Sequence, residues 1–171
     1  MGIGLDDGPI MLQSFEPIYP DTTGGDLMKD LSIAGGVTLA KALKLLSCNQ
    51  LPPEIEQNPD DATYVKKLRK SDGLINWSQP VLEIERRIRA YNPWPCCFTF
   101  LPERFRKKGN SGRLVVLRGE IAKLTAQERA FAPGTVIRID KRGPVIKCGD
   151  TALMLVSVKP EGGSRMDGGA F

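Results

Sequence analysis

Five short stretches rich in β-branched and aromatic residues occupy the last part of this 171-residue chain. They cover residues 98–101, 114–121, 135–139, 145–147 and 153–158, and Gly, Pro or Asp residues separate them. Short strands with such turns are typical of a small closed barrel, whereas βαβ units alternate strands with helices. The sequence therefore predicts a β-barrel in this part of the chain.

A helix is predicted directly before these strands. Its apolar positions fall on one face at helical spacing: Val81, Ile84, Ile88 and Tyr91. Ser78 is the candidate N-cap, with Pro80 in the first turn, where a missing N–H does no harm. Asn92-Pro93 ends the helix. Trp77 and Trp94 on either side of it are predicted to be core residues, with a nucleobase platform as the less favoured alternative.

The first fifty residues follow a different pattern. A short strand is predicted after the turn at residues 6–9, with its apolar positions at Ile10, Leu12 and Phe15. A helix is expected to start near Thr23 and to continue to Leu46, with a break or bend at Gly35-Gly36. The Pro-rich, acidic stretch 50–61 that follows is the best linker candidate.

The net charge of +4 is distributed unevenly. Residues 1–50 hold 3 Lys or Arg and 6 Asp or Glu, and residues 51–95 hold 7 of each kind. Residues 96–171 hold 14 Lys or Arg and 7 Asp or Glu, a surplus of +7. Such an asymmetry favours a polyanionic partner for the last segment, although a solvated surface explains it about as well.

Two clusters carry much of this positive charge. The first lies between the first two predicted strands, at a hairpin tip: Arg104, Arg106, Lys107 and Lys108. The second lies in the predicted linker region: Lys66, Lys67, Arg69 and Lys70. Phosphate groups bind accessible basic surfaces of this kind, and Phe105 could stack on a base or pack inward. The alternative is a pair of solubilising segments.

Membrane segments, secretory signals and metal-ligand spacings are not recognisable in the sequence. No apolar run approaches the roughly 18 residues that span a bilayer, and no basic segment followed by an apolar one opens the chain. The chain has no His, and its four cysteines show no C-x-x-C spacing, so no zinc site is expected. We expect a cytoplasmic protein without metal or membrane partner, with reduced, mostly buried thiols.

Five motifs follow one another along the chain. They are MGIGLDDGPI at 1–10, ATYVKKL and DGLINW at 62–77, RIRAYNPWP at 87–95, CGDTAL at 148–153, and PE with RMD at 160–167. In this order they resemble the methionyl-tRNA formyltransferase family over nearly the whole chain. The NPWP segment and the Arg165-Met166 ending favour this family over other formyltransferases.

The resemblance implies an α+β fold in three parts. Residues 1–50 would be the remnant of an open α/β formyltransferase domain, 51–76 a linker, and 77–171 an OB-like β-barrel domain. The family transfers a formyl group from 10-formyltetrahydrofolate to the amino group of initiator methionyl-tRNA in translation initiation. By this resemblance the chain is a C-terminal fragment that mainly binds tRNA, and we expect a monomer.

The family's catalytic set is an Asn, a His and an Asp, of which only Asp6 matches a residue of this chain. Its carboxylate would orient and charge-stabilise the His, as the acid of a triad does; the alternative is an Asp that caps its own tight turn. Asp7 stands where the family has Thr. The Asn, the His and the folate loop belong upstream of the first motif, so we expect the chain alone to be inactive.

Two other classes of function stay open at this point. One is a stand-alone RNA-binding barrel without an enzymatic partner, which specific tRNA binding without an upstream segment would support. The other is a formyltransferase of the sugar-nucleotide type, which shares the first motif. Binding of a sugar nucleotide without tRNA affinity would favour it.

Overall fold

The computed structural model describes residues 4–106 and 108–171. This part of the chain forms two compact units: residues 4–22 and 26–67 make up the first, and residues 23–25 and 68–171 the second. Residues 68–76, which the sequence analysis assigned to the linker, thus fold with the second unit. The predicted three-part division of the chain stays a prediction.

The first unit consists mainly of helix α1. This helix spans Gly24–Ser47, so its first residues count with the second unit. It continues through Gly35 and Gly36, and the predicted break there is wrong. A Cβ at either glycine would meet nothing within 4 Å, and each glycine lowers helix propensity by roughly 1 kcal/mol.

Apolar side chains of the first unit are largely exposed. Helix α1 contains no buried residue, and Phe15 is 87% exposed. The predicted strand at residues 10–15 is wrong: only Ile10 pairs, in an isolated antiparallel bridge with Ile55, with both N–H···O distances 2.9 Å. The described residues of this unit therefore have no buried core of their own.

The second unit begins with helix α2, Val81–Ala90. Its predicted buried face is confirmed for Val81, Ile84 and Ile88, whereas Tyr91 is half-buried. The predicted N-cap is wrong: Pro80 holds the N-cap position, and the Asp150 carboxylate accepts the hydrogen bond from the Val81 N–H at 2.8 Å. A residue distant in sequence thus satisfies a donor at the helix start.

A six-stranded antiparallel sheet follows α2. Its strands are β1 Cys97–Phe100, β2 Arg113–Ala122, β3 Val136–Asp140, β4 Gly143–Lys147, β5 Ala152–Pro160 and β6 Met166–Asp167. The five predicted strands are confirmed to within two residues at each end, and the two-residue β6 was missed. The strand order is β1-β2-β5-β4-β3, with β6 on β5. Among the described residues these pairings leave the sheet open, so closure into an OB-like barrel stays a prediction.

The core of the second unit lies where α2 packs against the sheet. The strands contribute buried side chains that include Leu114 and Val116 of β2 and Leu153, Leu155 and Val158 of β5. Each buried aliphatic side chain contributes roughly 1.5–3 kcal/mol relative to exposure. This core makes the second unit, described by itself, an α+β fold.

The segment before α2 also joins this core. The Ile75 N–H donates to the Phe98 carbonyl at 2.9 Å, and the Ile75 side chain is buried. Trp77 packs against the core, and its indole N–H donates to Thr99 Oγ1 at 3.2 Å. Trp94 is 52% exposed, so its predicted core position is wrong. It lies in the turn after α2, between two prolines, outside the helix–sheet interface.

Within the part of the chain that the structure describes, neither helix combines the length and the apolar character that a bilayer span requires.

We predict that amide hydrogen exchange separates the two units. Amides of β2 and β5 lie in a sheet with a buried face, so their exchange should require nearly global unfolding. Amides of residues 27–46 in α1, which has no buried side chain, should exchange through local opening at a small fraction of that free energy. Equal protection of residues 27–46 and 115–121 would show that α1 has another packing partner.

Replacing Asp150 with Ala should lower the free energy of unfolding by about 1 kcal/mol, as loss of a helix N-terminal acceptor does. Ser78→Ala is the control, with an expected loss below about 0.5 kcal/mol, because the Ser78 side chain does not cap α2. Urea unfolding followed by circular dichroism measures both.

The effect of Asp150→Ala should depend on pH. The hydrogen bond from the Val81 N–H lowers the pKa of the Asp150 carboxyl below its ordinary value of 3.8. A carboxyl with a depressed folded-state pKa stabilises the fold above its unfolded-state pKa, and this contribution is lost as pH falls through the folded-state pKa. The difference between wild type and variant should therefore persist at neutral pH and shrink below about pH 3.8. A difference that stays constant down to pH 2 would contradict the assignment.

Candidate nucleic-acid interface

The first basic cluster lies in the loop between β1 and β2, described for residues 101–106 and 108–112. These strands are antiparallel neighbours, with Phe100 opposite Arg113, so the predicted hairpin is confirmed. The Leu101 N–H donates to the Gly112 carbonyl at 2.9 Å and closes the base of the loop. A short 3₁₀ turn, Glu103–Phe105, follows.

The described cations of this loop point away from the core. Arg104, Arg106 and Lys108 are all exposed, and no ion pair between any of them and a carboxylate occurs among the described residues. Lys107 lies outside the described residues. Three exposed cations without a carboxylate partner leave a positive surface that an anion can reach.

Two contacts shape this surface. The Arg106 Nε donates to the Leu101 carbonyl at 2.7 Å, which holds the guanidinium against the base of the loop. The Arg104 guanidinium lies 4.8 Å from the centroid of the Phe105 ring, and Phe105 is 62% exposed. Of the two roles considered for Phe105, inward packing is therefore wrong, and its exposed ring is accessible for stacking.

Glu161, the residue directly after β5, fixes the base of the β1–β2 loop through hydrogen bonds. Glu161 Oε2 accepts hydrogen bonds from the Ser111 hydroxyl at 2.8 Å and from the Gly112 N–H at 3.0 Å. The hydrogen bond from Ser111 is the largest cause of the lowered pKa of the Glu161 carboxyl. Glu161 belongs to the PE motif of the sequence, but its role in holding the basic hairpin was not predicted.

Other cations of the second unit are neutralised internally. Glu120 Oε1 accepts from Arg142 at 2.5 Å and from Arg118 at 3.2 Å, and the Arg142 hydrogen bond lowers the pKa of the Glu120 carboxyl. Arg138 donates to Glu128 at 2.6 Å and pairs with Asp140 at 3.2 Å, which raises the pKa of its guanidinium. These pairs remove charge from the surface, so the net positive charge is concentrated elsewhere.

Arg113, at the start of β2, takes a different position from the loop cations. Its guanidinium carbon lies 4.0 Å from the centroid of the Phe98 ring, a cation–π contact. Its Nε is buried without a hydrogen-bond partner among the described residues. The cation–π contact with the Phe98 ring is therefore the interaction that the structure shows for this buried end of the Arg113 side chain.

The second basic cluster extends across the division between the two units. Lys66 and Lys67 belong to the first unit, and Arg69 and Lys70 to the second. All four side chains are exposed. The Arg69 N–H donates to Asp72 Oδ2 at 2.7 Å, which fixes the start of the 3₁₀ turn Lys70–Gly73.

Asp6 lines a cleft of about 840 Å³ in the first unit. Its backbone has a φ of 57°, and the Gln57 side-chain amide donates to the carbonyls of Asp6 at 2.8 Å and of Gly8 at 2.6 Å. The carboxylate of the neighbouring Asp7 accepts from the Gly4 N–H at 2.8 Å. Asp6 is therefore a turn residue in this structure, and its catalytic role stays a prediction.

The cysteines are all free thiols. Cys97 and Cys148 are buried, and burial raises the pKa of each thiol to about 12. Cys96 is half-buried and Cys48 is exposed, so the expected burial holds for only part of the set. No group of three His, Cys, Asp or Glu side chains among residues 4–106 and 108–171 is placed to hold a metal ion.

Comparison with known sequences supports the interpretation of the motifs. The sequence profile described as "Formyl transferase, C-terminal domain" matches residues 67–171. Proteins named methionyl-tRNA formyltransferase from Magnetococcus marinus, Pseudomonas putida and Symbiobacterium thermophilum are 37%, 38% and 35% identical to this chain. These alignments cover 98%, 97% and 100% of the chain. The chain spans about half the length of the curated relatives it matches, 49% of each.

Solved structures show the same fold at low sequence identity. Two crystal structures of HypX from Aquifex aeolicus, one of a multiple-site variant and one in complex with tetrahydrofolic acid, each match with a TM-score of 0.63 and 11% identity. Each match covers 99% of this chain, and 29% and 28% of the respective HypX chain. The profile match shows that the chain belongs to the formyl transferase family and that residues 67–171 match the C-terminal domain of that family.

Proposed function

We propose that this chain acts in the formylation of initiator methionyl-tRNA, with 10-formyltetrahydrofolate as formyl donor, and that its main part in the reaction is to bind the tRNA. Support comes from relatives named methionyl-tRNA formyltransferase, which align along 97% or more of the chain. The proposed binding role rests on one structural observation, which is the exposure of the cations in the β1–β2 loop. Its described cations are exposed and lack carboxylate partners.

The residues of this chain suit binding better than chemistry. Formyl transfer to an amine needs a base for the amine proton and a donor for the tetrahedral oxyanion. The chain contains no His, and the one residue matched to the catalytic set, Asp6, lies in a turn that lines an open cleft. We therefore derive no chemical step from these residues.

The proposal extends to the fold of each unit, the oligomeric state, the location and the use of metal. We propose that the second unit closes as an OB-like barrel around the pairings described above, and that residues 4–50 derive from an open α/β formyltransferase domain. We further propose a cytoplasmic monomer that uses no metal. We also propose that tRNA phosphates contact the exposed cations Lys66, Lys67, Arg69 and Lys70, because such cations neutralise phosphates without base readout.

The loop should account for a defined part of the salt dependence of tRNA binding. Each phosphate contact that is lost reduces the slope of log affinity against log salt by about one. The triple variant Arg104→Ala, Arg106→Ala and Lys108→Ala should therefore weaken binding to initiator and elongator tRNA alike. It should reduce the slope by roughly two to three. Filter binding at several salt concentrations measures both quantities.

A control with the same charge change lies on α1: Lys29→Ala, Lys41→Ala and Lys44→Ala. Because the proposal assigns no phosphate contact to α1, this variant should keep the wild-type slope. If both triple variants reduce the slope equally, net charge governs binding and the loop has no special role. A wild-type chain that binds a sugar nucleotide but no tRNA would instead favour the sugar-nucleotide class.

The 171-residue chain by itself should not transfer formyl groups. Removal of members of a catalytic set typically costs several orders of magnitude in rate. Incubation with methionyl-tRNA and 10-formyltetrahydrofolate, followed by separation of formylmethionyl-tRNA, tests this. Turnover above the rate without protein would show that residues other than Asp6 supply the missing acid–base groups.

A further inference from the structure

A second set of cations surrounds a pocket at the other end of β2. This pocket has a volume of about 550 Å³ and is lined by Lys123, Leu124, Arg129, Lys147, Gly149, Asp150 and Thr151. We call it the Lys147 pocket. The basic hairpin precedes Arg113, whereas Lys123 follows Ala122, so β2 separates them; its ten residues correspond to roughly 30 Å of extended strand. The two positive surfaces are therefore distinct.

Lys147 is the unusual member of the pocket. It ends β4, and only 6% of its surface is exposed. Its ammonium group donates to the Cys148 carbonyl, which uses one of three N–H donors. No carboxylate lies within ion-pair distance of it among the described residues. Lys147 is thus a largely buried residue that lines the pocket without a carboxylate partner, and an anion in the pocket would supply one.

The one carboxylate in the lining, Asp150, binds backbone amides through one of its two oxygens. Asp150 Oδ1 accepts from the Val81 N–H at 2.8 Å and from the Thr151 N–H at 2.7 Å. The Lys147 charge also contributes to the lowered pKa of the Asp150 carboxyl, but the two groups form no direct ion pair among the described residues. The pocket lining thus carries three cations and one carboxylate that is bound to backbone amides, a surplus of two positive charges.

Hydrogen bonds anchor the loop that supplies the other two cations, Lys123 and Arg129. Arg138 donates to Glu128 Oε1 at 2.6 Å and to the Lys123 carbonyl at 3.3 Å. The Thr125 N–H donates to Glu128 Oε2 at 2.7 Å, and this bond is the largest cause of the lowered pKa of the Glu128 carboxyl. These bonds fix the backbone at Lys123 and Thr125 and so keep Lys123 at the rim of the pocket.

We propose that the Lys147 pocket is an anion site that takes a phosphate group, with Lys123, Arg129 and Lys147 donating to its oxygens. A phosphate offers several acceptor oxygens and one to two negative charges, which match the three cations and the surplus positive charge of the lining. The phosphate belongs either to a nucleic-acid backbone or to a free phosphate ion. Only the first of these sources rests on the proposed function.

The test uses the full chain labelled with ¹⁵N and inorganic phosphate as the probe, with chloride balancing ionic strength. The amide signals of Gly149 and Thr151 should shift saturably with phosphate and not with chloride. The double variant Lys123→Gln and Arg129→Gln, both exposed positions, should weaken this binding at least tenfold. The control Lys141→Gln and Lys159→Gln, two exposed cations outside the pocket, should retain it.

Lys147→Met provides a second variant, because it keeps an apolar stem in the buried position and removes the charge. It should abolish the phosphate shift if it folds, and the double variant gives the answer if it does not. No saturable shift in the wild type, or equal affinity in the double variant and the control, would overturn the site.

A tRNA titration of the same variants distinguishes the two sources of phosphate. For a backbone phosphate, the double variant should reduce the salt slope of tRNA binding by about one to two, and inorganic phosphate should compete with tRNA. If phosphate shifts the pocket but tRNA binding is unaffected, the site takes free phosphate. If the wild-type chain binds no tRNA at all, the proposed function fails while the phosphate site stands.

Discussion

The antiparallel pairing of β2 with β5 is the constraint on which the rest of the second unit depends. It runs from Leu114 opposite Pro160 to Ala122 opposite Ala152. β1 adds to the free edge of β2, β4 and β6 pair with β5, and α2 packs over the buried face. The same pair sets the positions of both cationic surfaces, since one precedes β2 and the other follows it.

The distribution of charge within this frame matters more than its total. Exposed ion pairs contribute only about 0–1 kcal/mol to stability, so Arg118, Arg142 and Glu120 do little to hold the fold. Their effect is to cancel charge along one part of the sheet. Cations that lack such partners stay available to an anion, at the β1–β2 loop and in the Lys147 pocket. We propose that a surface organised in this way neutralises phosphates at fixed positions.

Local sequence patterns predicted the elements well but their tertiary partners poorly. Five strands follow from local residue composition and turn residues, and the buried face of α2 follows from side-chain periodicity. The cap of α2 could not be predicted this way, because Asp150 lies 69 residues from Val81 and capping rules consider neighbours such as Ser78. Gly35 and Gly36 were expected to break or bend α1, yet the helix continues through both residues.

The two candidate sites differ in the same way, because one follows from local sequence and the other depends on tertiary packing. Arg104, Arg106 and Lys108 stand close together in the sequence, so their spacing alone indicates a basic surface. The members of the Lys147 pocket come from two separate segments, and the burial of Lys147 follows only from sheet packing. The motifs identified the family, which the profile match to residues 67–171 confirms.

The most direct test of this account is a map of the tRNA contact surface on the ¹⁵N-labelled chain. Initiator tRNA should broaden the amide signals of the β1–β2 loop and of residues 123–130 and 147–151. Amides flanking Arg118 and Arg142, which both pair with Glu120, should be unaffected. Broadening confined to residues around Arg118 and Arg142, or spread evenly over both units, would contradict the claim that unpaired cations at fixed positions form the interface.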